Sequence, residues 1–208
     1  MIELLLSILL FAVVGLMAVY SYNYIILFLL HFMRPPITLN RKLGNLPTAT
    51  VAVTSFNEAN VIGKTLEAVG KLDYPRKLLQ ILLVDDSNDQ TVDVITNRVR
   101  TMRSKGFDVR IVRRADRKGY KAGALRNALK FMKGDYILLL DADSIPQKNL
   151  LKKSLPLFSD NVSFVSFKLS HYNKSKSLVA RAFDLVVKTN QKAETLSRSM
   201  LGLPFSFH

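Results

Sequence analysis

The feature that most constrains the fold of this chain is an uncharged apolar segment near its start. Residues 4–30 contain no charged side chain. As a helix this segment would be about 40 Å long, which is enough to cross the ~30 Å hydrocarbon core of a bilayer with some tilt. The sequence therefore predicts a transmembrane anchor over residues 1–33.

A cleaved signal peptide is the alternative interpretation of the same segment. Signal peptides have a basic start, a shorter apolar stretch and a cleavage site flanked by small residues. This segment is longer and follows the acidic Glu3. Arg34, Arg41 and Lys42 lie just after it, so the positive-inside rule predicts that the catalytic domain faces the cytoplasm. We expect a single pass of this chain through the cell membrane.

The basic composition restricts the possible partners. The chain has 30 Lys and Arg against 16 Asp and Glu, a net charge of +14, and no cysteine. A charge of this size is typical of proteins that bind nucleic acid, an anionic membrane surface or a phosphate-rich ligand. We expect no nucleic acid, because the basic residues are spread out and no nucleic-acid-binding motif appears. A basic cluster over residues 113–121 would attract phosphate, and a binding module for anionic lipid remains an alternative to an enzyme.

Beyond a linker over residues 34–49, β-rich apolar runs alternate with helical stripes. The predicted strands cover residues 50–54, 79–84, 109–112 and 135–140, followed by a helix over 148–158, a strand over 162–169 and a helix over 177–199. Such alternation predicts an α/β fold, a Rossmann-like and mostly parallel sheet with flanking helices. This domain would cover residues 50–208.

Four polar motifs follow the predicted strands or open the predicted helices. They are Ser55-Phe56-Asn57-Glu58, Asp85-Asp86-Ser87-Asn88-Asp89, the segment 117–125 with Lys121 and Gly123, and Asp141-Ala142-Asp143. Because ligands of open α/β sheets bind at the carboxyl ends of the strands, the motifs predict a binding cleft there. The two carboxylates of the last motif suit a divalent cation that also holds phosphate oxygens.

Each motif taken alone also has a purely structural interpretation. Asn57 would cap the following helix, Asp85 and Asp86 would be turn residues, Asp89 would cap a helix from residue 91, and Gly123 would mark a tight turn. The ordered combination of all four motifs favours a functional site.

Together the motifs resemble those of family-2 glycosyltransferases with the nucleotide-sugar-binding fold called GT-A. The similarity covers residues 51–150, about half of the chain, and looks closest to the membrane-bound branch that contains cellulose synthases, β-mannan synthases and ceramide glucosyltransferases. The resemblance implies an inverting enzyme that transfers a hexose from a UDP- or GDP-sugar to a polysaccharide or lipid acceptor.

The resemblance also implies a set of donor-binding residues and roles for several of them. The set is Ser55, Asn57, Glu58, Asp85, Asp86, Lys121, Gly123, Asp141 and Asp143. Asp85 would bind uracil or a similar base, residues 57–58 would line the nucleotide, and Lys121 would reach the diphosphate. Asp141 would touch the ribose or the donor sugar, and Asp143 would ligate Mg²⁺ or Mn²⁺, with Asp141 as the second candidate metal ligand.

Three further features of that family are not found in this sequence. They are a T-E-D motif that contains the general base, a Q-x-x-R-W motif and additional membrane helices. We therefore expect a C-terminally incomplete domain that holds the donor half without the acceptor half, and the catalytic base stays unassigned. The alternative function is a non-catalytic nucleotide-sugar-binding subunit, with a partner chain that supplies the acceptor half.

Overall fold

The computed structural model of the protein describes residues 1–33, 44–160, 162–167 and 177–202. The chain forms two compact units, one made of Met1–Leu39 and Phe164–His208 and the other of Asn40–Ser163. The elements in chain order are α1 (Ile2–Met33), β1 (Ala49–Ser55), α2 (Ala59–Val69), β2 (Leu79–Asp85), α3 (Thr91–Ser104), β3 (Asp108–Val112), α4 (Tyr120–Ala128), β4 (Tyr136–Asp141), α5 (Leu150–Ser154), α6 (Leu178–Asn190) and α7 (Ser197–Met200).

The second unit is built on a four-stranded sheet with the order β3-β2-β1-β4. All three strand pairs are parallel, and Ser55 lies opposite Asp85 while Thr54 lies opposite Asp141. The predicted α/β architecture is therefore confirmed, and the predicted strands lie where β1 to β4 are found. β1 begins at Ala49, which the sequence assigned to the linker.

The two central strands are buried on both faces, which explains their nearly continuous apolar sequences. Leu82 and Val84 of β2 pack against Ala124 and Ala128 of α4, together with Val112 of β3. The connections through α2 and α3 lead from β1 toward β3, whereas the connection through α4 leads back from β3 to β4. Because such connections are right-handed, α2 and α3 lie on the face of the sheet opposite to α4. Both helices bury one apolar side, and they pack against each other.

The first unit contains α1 and the helices at the end of the described chain. Among the described residues, the segment Ile2–Leu30 of α1 is long and apolar enough to cross a membrane. A π-helical turn (Gln191–Leu196) and α7 pack against α1, whose Leu27 is buried. The basic residues that predicted the orientation of the anchor lie outside the described residues.

Two predicted elements differ from those observed. The strand predicted over residues 162–169 is wrong in its described part, where residues 162–167 make only an isolated bridge between Ser159 and Val162. This segment has no strand to pair with among the described residues. The helix predicted over 148–158 is limited to α5 and a 3₁₀ turn (Leu155–Leu157), because Pro156 lacks the N–H group that an α-helix needs.

The long helix predicted over residues 177–199 is found, with an interruption. The side chain of Ser177 caps α6 by accepting a hydrogen bond from the Ala180 backbone N–H at 3.1 Å. The π-helical turn then separates α6 from α7.

Candidate functional site

The predicted polar motifs meet at the carboxyl edge of the sheet. Strand order reverses between β1 and β4, because the chain builds outward from β1 through β2 to β3 and then returns to the other side of β1. Ligands of open α/β sheets bind in the crevice at such a reversal. The loop after β1 and the Asp141-Ala142-Asp143 turn flank this point, so the sheet topology supports the predicted position of the cleft.

The loops after β1 and β2 are bound to each other. The Asn57 backbone N–H donates to the Ser87 hydroxyl at 2.9 Å, and the Asn57 and Asn88 side chains form two further hydrogen bonds. Asn57 has a left-handed backbone (φ 56°) and does not cap α2. Its role in the structure is therefore to join the two loops. The hydroxyl oxygen of Ser55 is buried without a hydrogen-bond partner, which is a group that a ligand can satisfy.

Asp85 is buried and ion-paired at the end of β2. Its side chain is completely inaccessible, and its two oxygens accept hydrogen bonds from Arg113 Nε at 2.9 Å and from the Ser87 backbone N–H at 3.1 Å. The Arg113 side chain is 38% exposed and covers the carboxylate. Asp85 thus lies at the predicted edge, with Arg113 between it and the solvent.

Asp86 is held by a second arginine that also shapes the next motif. Arg114 contacts both oxygens of Asp86 at 2.6–3.2 Å, and it donates to the backbone carbonyls of Lys118 and Tyr120 at 2.6 and 2.7 Å. Hydrogen bonding to Asp86, and then the charge of Asp86, raise the pKa of Arg114. Because the two acceptor carbonyls lie in the turn that opens α4, this buried pair fixes the position of that turn.

The turn before α4 depends on glycine. Gly119 and Tyr120 both have positive φ angles, 75° and 48°. A Cβ atom at Gly123 would lie 2.1 Å from the Lys118 carbonyl oxygen and 2.8 Å from Arg114 Nη1. The close approach of the turn to α4 therefore requires Gly123. The predicted tight turn is found with Gly119 in it, whereas Gly123 lies in the first part of α4 and packs against that turn.

Lys121 and Asp141 face each other across the cleft. The Lys121 ammonium is ion-paired with Asp141, and both side chains are about half exposed. Exposed pairs of this kind contribute little to stability, so their separation by an incoming ligand costs little. The Thr54 hydroxyl donates to Asp141 Oδ1 at 3.2 Å and orients the carboxylate.

Asp143 and Glu58 provide the negative charge of the cleft. Asp143 is exposed and its side chain has no hydrogen bond or ion pair with the described residues. The pKa of Glu58 is raised above its usual range by burial, and then by the nearby carboxylates of Asp143 and Asp141. A cation would relieve this repulsion, so the residues present fit a divalent metal.

Protein ligands alone do not complete a metal site here. Among the described residues, no group of three or more His, Cys, Asp or Glu is close enough to hold a metal ion. One or two carboxylates that share a cation with ligand phosphates and water are the usual arrangement for Mg²⁺. Asp143 would fit the first position of such a site, and Asp141 would be a second ligand only if Lys121 moved away from it.

The basic cluster predicted to attract phosphate is largely paired within the protein. Arg113 and Arg114 hold Asp85 and Asp86, and the Arg117 guanidinium stacks 3.2 Å from the centre of the Phe56 ring. The attraction for phosphate is therefore weaker than the sequence suggested. It falls on Lys118, which is exposed and has no ion pair with the described residues, and on Lys121, whose pair with Asp141 is exposed. The pairs have a signal in the sequence, because two acids end β2 and two arginines follow β3, its parallel neighbour.

Asp89 has the structural role that the sequence allowed for it, at the start of a helix. Asp89 accepts a hydrogen bond from the Thr91 backbone N–H at 2.9 Å at the start of α3, and its pKa is lowered by hydrogen bonds to Thr91. This is the predicted capping interaction. Asp89 therefore has a local structural role beside the cleft.

Comparison with protein families gives a match over most of the chain. The family described as Glycosyl transferase family 2 matches residues 50–201. "Probable glucomannan 4-beta-mannosyltransferase 10" of Arabidopsis thaliana is 30% identical over 202 residues, which cover 89% of this chain and 37% of the relative. "Glucomannan 4-beta-mannosyltransferase 2" of the same plant is 33% identical over 154 residues, which cover 70% of this chain and 29% of the relative. The chain thus spans about a third of the length of these relatives.

Comparison with solved structures supports the fold. A mannosyltransferase from Pyrobaculum calidifontis, solved in complex with GDP-Man and Mn²⁺, superposes with a TM-score of 0.65. The two proteins are 24% identical, and the match covers 76% of this chain and 46% of that chain. The predicted GT-A architecture is confirmed by this likeness together with the family match.

Proposed function

Because the chain belongs to glycosyl transferase family 2, we propose that it transfers a hexose from a UDP- or GDP-sugar to a polysaccharide or lipid acceptor at a membrane. The observation that carries this proposal is the convergence of the four polar motifs at one sheet edge, with the unpaired carboxylate of Asp143 near Lys121 and Asp141. Among the relatives are glucomannan 4-beta-mannosyltransferases, which makes mannose the first hexose to test and a polysaccharide the first acceptor.

Lys121 and Asp143 are the residues we assign to the leaving diphosphate. Departure of a nucleoside diphosphate places negative charge on its oxygens, and a positioned cation lowers the energy of that charge. Lys121 can turn from Asp141 to a phosphate at little cost because their ion pair is exposed. A Mg²⁺ or Mn²⁺ ion held by Asp143 would supply the remaining positive charge.

We assign recognition of the nucleotide base to Asp85, which requires that Arg113 move or take part in the contact. The Asp85 carboxylate is inaccessible while Arg113 covers it. The half-exposed Arg113 side chain therefore has to swing aside, or contact the base itself, when the nucleotide binds. Residues 55–58 line the same edge and complete the proposed nucleotide pocket.

Attachment to the membrane is assigned to α1. Its apolar segment has the length of a bilayer span, and its side chains are exposed along nearly the whole helix. Exposure of so many large apolar side chains to water is unfavourable, whereas lipid accommodates them. We assign no general base, so the assigned residues account for donor binding and leave the transfer step unassigned.

Calorimetric titration of the detergent-solubilised chain with UDP and GDP, each with and without Mn²⁺, tests the proposal. We expect micromolar binding that depends on the metal and is lost in Asp143→Ala. Asp108→Ala is the matched control, because Asp108 pairs with Lys133 at the start of β3, away from the carboxyl edge. Equal binding with and without metal, or unchanged binding in Asp143→Ala, would contradict the assignment of Asp143.

A transfer assay separates the enzyme from the non-catalytic alternative. Radiolabelled GDP-mannose and UDP-glucose are incubated with the chain in its native membranes, and both lipid and polysaccharide fractions are counted. Transfer that is lost in Asp143→Ala supports the enzyme. Nucleotide binding without any transfer supports a donor-binding subunit.

A further inference from the structure

Helix α6 has its apolar side turned away from the protein. Leu178, Val179, Leu185 and Val186 are 64–81% exposed, and at 100° per residue they share one face of the helix. A helix on the surface of a water-soluble protein normally directs such a face toward the core. The exposed side of α6 is therefore suited to an apolar neighbour.

The opposite side of α6 carries polar groups and faces the protein. Asp184 is 6% exposed and pairs with Lys188, four residues later in the same helix. The pair lies nearly opposite the exposed apolar face. Because the charged groups of the inner side are neutralised within the helix, the helix can keep this side against the protein and leave its apolar side outward.

The end of α6 lies beside the tyrosine-rich part of α1. The Tyr24 hydroxyl donates to Asn190 Oδ1, the last residue of α6, at 3.4 Å, and Tyr20 lies one turn before it with its ring 5.0 Å from that of Tyr24. Tyrosines in a membrane span mark the level of the lipid headgroups. The π-helical turn and α7, rather than the body of α6, make the extensive packing with α1.

We propose that α6 lies in the interfacial layer of the bilayer, with the face formed by Leu178, Val179, Leu185 and Val186 against the acyl chains. This inference rests on the proposed spanning of the membrane by α1, since the contact between Tyr24 and Asn190 places the end of α6 at the level of the headgroups only if α1 is inserted. Amphipathic helices in this position bury their apolar face into the boundary between headgroups and acyl chains. The exposed Arg181, at the border of the apolar face, then lies near the anionic headgroups, which fits the net charge of +14.

The absence of cysteine from the sequence allows a clean labelling experiment. Single cysteines are introduced along α6 in the full chain, which is reconstituted in vesicles of phosphatidylcholine and phosphatidylglycerol and labelled with a nitroxide. Collision with oxygen reports lipid, and collision with a water-soluble nickel chelate reports water. Leu185→Cys and Val186→Cys probe the outer face, Lys188→Cys probes the inner face, and Leu9→Cys in α1 reports whether the anchor is inserted.

We expect the accessibility of the labels to oxygen and to nickel to vary along α6 with the period of an α-helix. Labels at positions 185 and 186 should collide several-fold more with oxygen than with nickel, the label at 188 should not, and a label at 178 should lie at the same depth as one at 186. Nickel-accessible labels at 178, 185 and 186 together with a lipid-embedded label at 9 would overturn the interfacial position and leave the anchor intact. Labels on the outer face that are shielded from both reagents would mean that a protein segment covers α6, and they would also overturn it. A water-exposed label at position 9 would refute the anchor and, with it, this inference.

Discussion

The Thr65 hydroxyl donates a 2.6 Å hydrogen bond to the carbonyl oxygen of Ala142, the residue between the two aspartates of the cleft. Thr65 belongs to α2 and is completely buried, as is Ala142. The bond connects a helix that follows β1 to the turn that follows β4. Asp141 and Asp143 therefore do not depend only on their own turn for their position.

Replacing Thr65 by valine should weaken both stability and metal binding. Valine keeps the shape of threonine but leaves the Ala142 carbonyl without its donor, which should lower the free energy of unfolding by about 1–3 kcal/mol. Circular dichroism is the suitable probe, because the chain contains no tryptophan. Thr101→Val on the exposed side of α3 is the control, since its hydroxyl bonds only within its own helix. Equal losses in both variants would contradict a special role for Thr65.

Metal affinity should rise with pH because of Glu58. Its pKa is raised above 4.5 by burial and by Asp143 and Asp141, so Glu58 holds a proton more readily in the metal-free protein. A bound cation favours the ionised form, so binding releases a proton and the affinity for Mn²⁺ increases as the pH rises from 4.5 through the raised pKa.

Paramagnetic resonance of free Mn²⁺, in the presence of GDP, measures this dependence. Because binding releases at most one proton from Glu58, the affinity for Mn²⁺ should increase by at most about tenfold per pH unit. Glu58→Gln should flatten this pH dependence, whereas Glu67→Gln, in the helix that follows Glu58 and paired with Lys71, should not. A slope that is identical in the parent chain and in Glu58→Gln would refute this linkage.

Arg114 should be needed for nucleotide binding, because it holds the turn that opens α4 in place. Lysine keeps the charge but cannot hold Asp86 and the carbonyls of Lys118 and Tyr120 at the same time. Arg114→Lys should lower the melting temperature by several degrees and weaken GDP or UDP binding by about tenfold, a change of about 1.4 kcal/mol. Arg110→Lys on β3, where the guanidinium stacks on Phe131, is the matched control and should leave nucleotide affinity unchanged.

Two glycine-to-alanine changes should have opposite effects. At Gly123 the new methyl group would meet the Lys118 carbonyl oxygen at 2.1 Å, so the turn has to open and nucleotide binding should be lost. At Gly63, within α2, the nearest atoms lie at 3.8 Å, and alanine should stabilise the helix by about 0.5–1 kcal/mol. Thermal melts and nucleotide titrations of both variants check the pair. A Gly123→Ala chain that binds nucleotide normally would show that the close approach is not required.

The two central strands, β1 and β2, were predictable from the sequence because they are buried on both faces. Such strands give continuous apolar runs that need no knowledge of their partners. The predicted strand over residues 162–169 shows the limit, because a segment rich in valine and phenylalanine forms a strand only where another strand is available. Its described part has none.

The positions of the motifs were predictable, but their internal pairing was not. Asp85 and Asp86 meet Arg113 and Arg114 only because β2 and β3 are neighbours in a parallel register, which fixes contacts 28 residues apart. The same limit applies to the hydrogen bond from Thr65, which joins residues 77 positions apart. The two acids and the two arginines are visible in the sequence, but their pairing follows only once β2 and β3 are known to be parallel neighbours.

The position of β1 between β2 and β4 has a consequence for synthesis on the ribosome. Thr48 and Asp135, which are hydrogen-bonded at the start of β1 and β4, are 87 residues apart. At about 5–20 residues per second, roughly 4–17 s pass between their emergence. During this interval β1 has a neighbour on one side only, and its open edge is exposed to other nascent chains and to chaperones. The two aspartates of the cleft are translated after that interval, so the nascent chain has to stay unaggregated for seconds before its donor-binding edge can form.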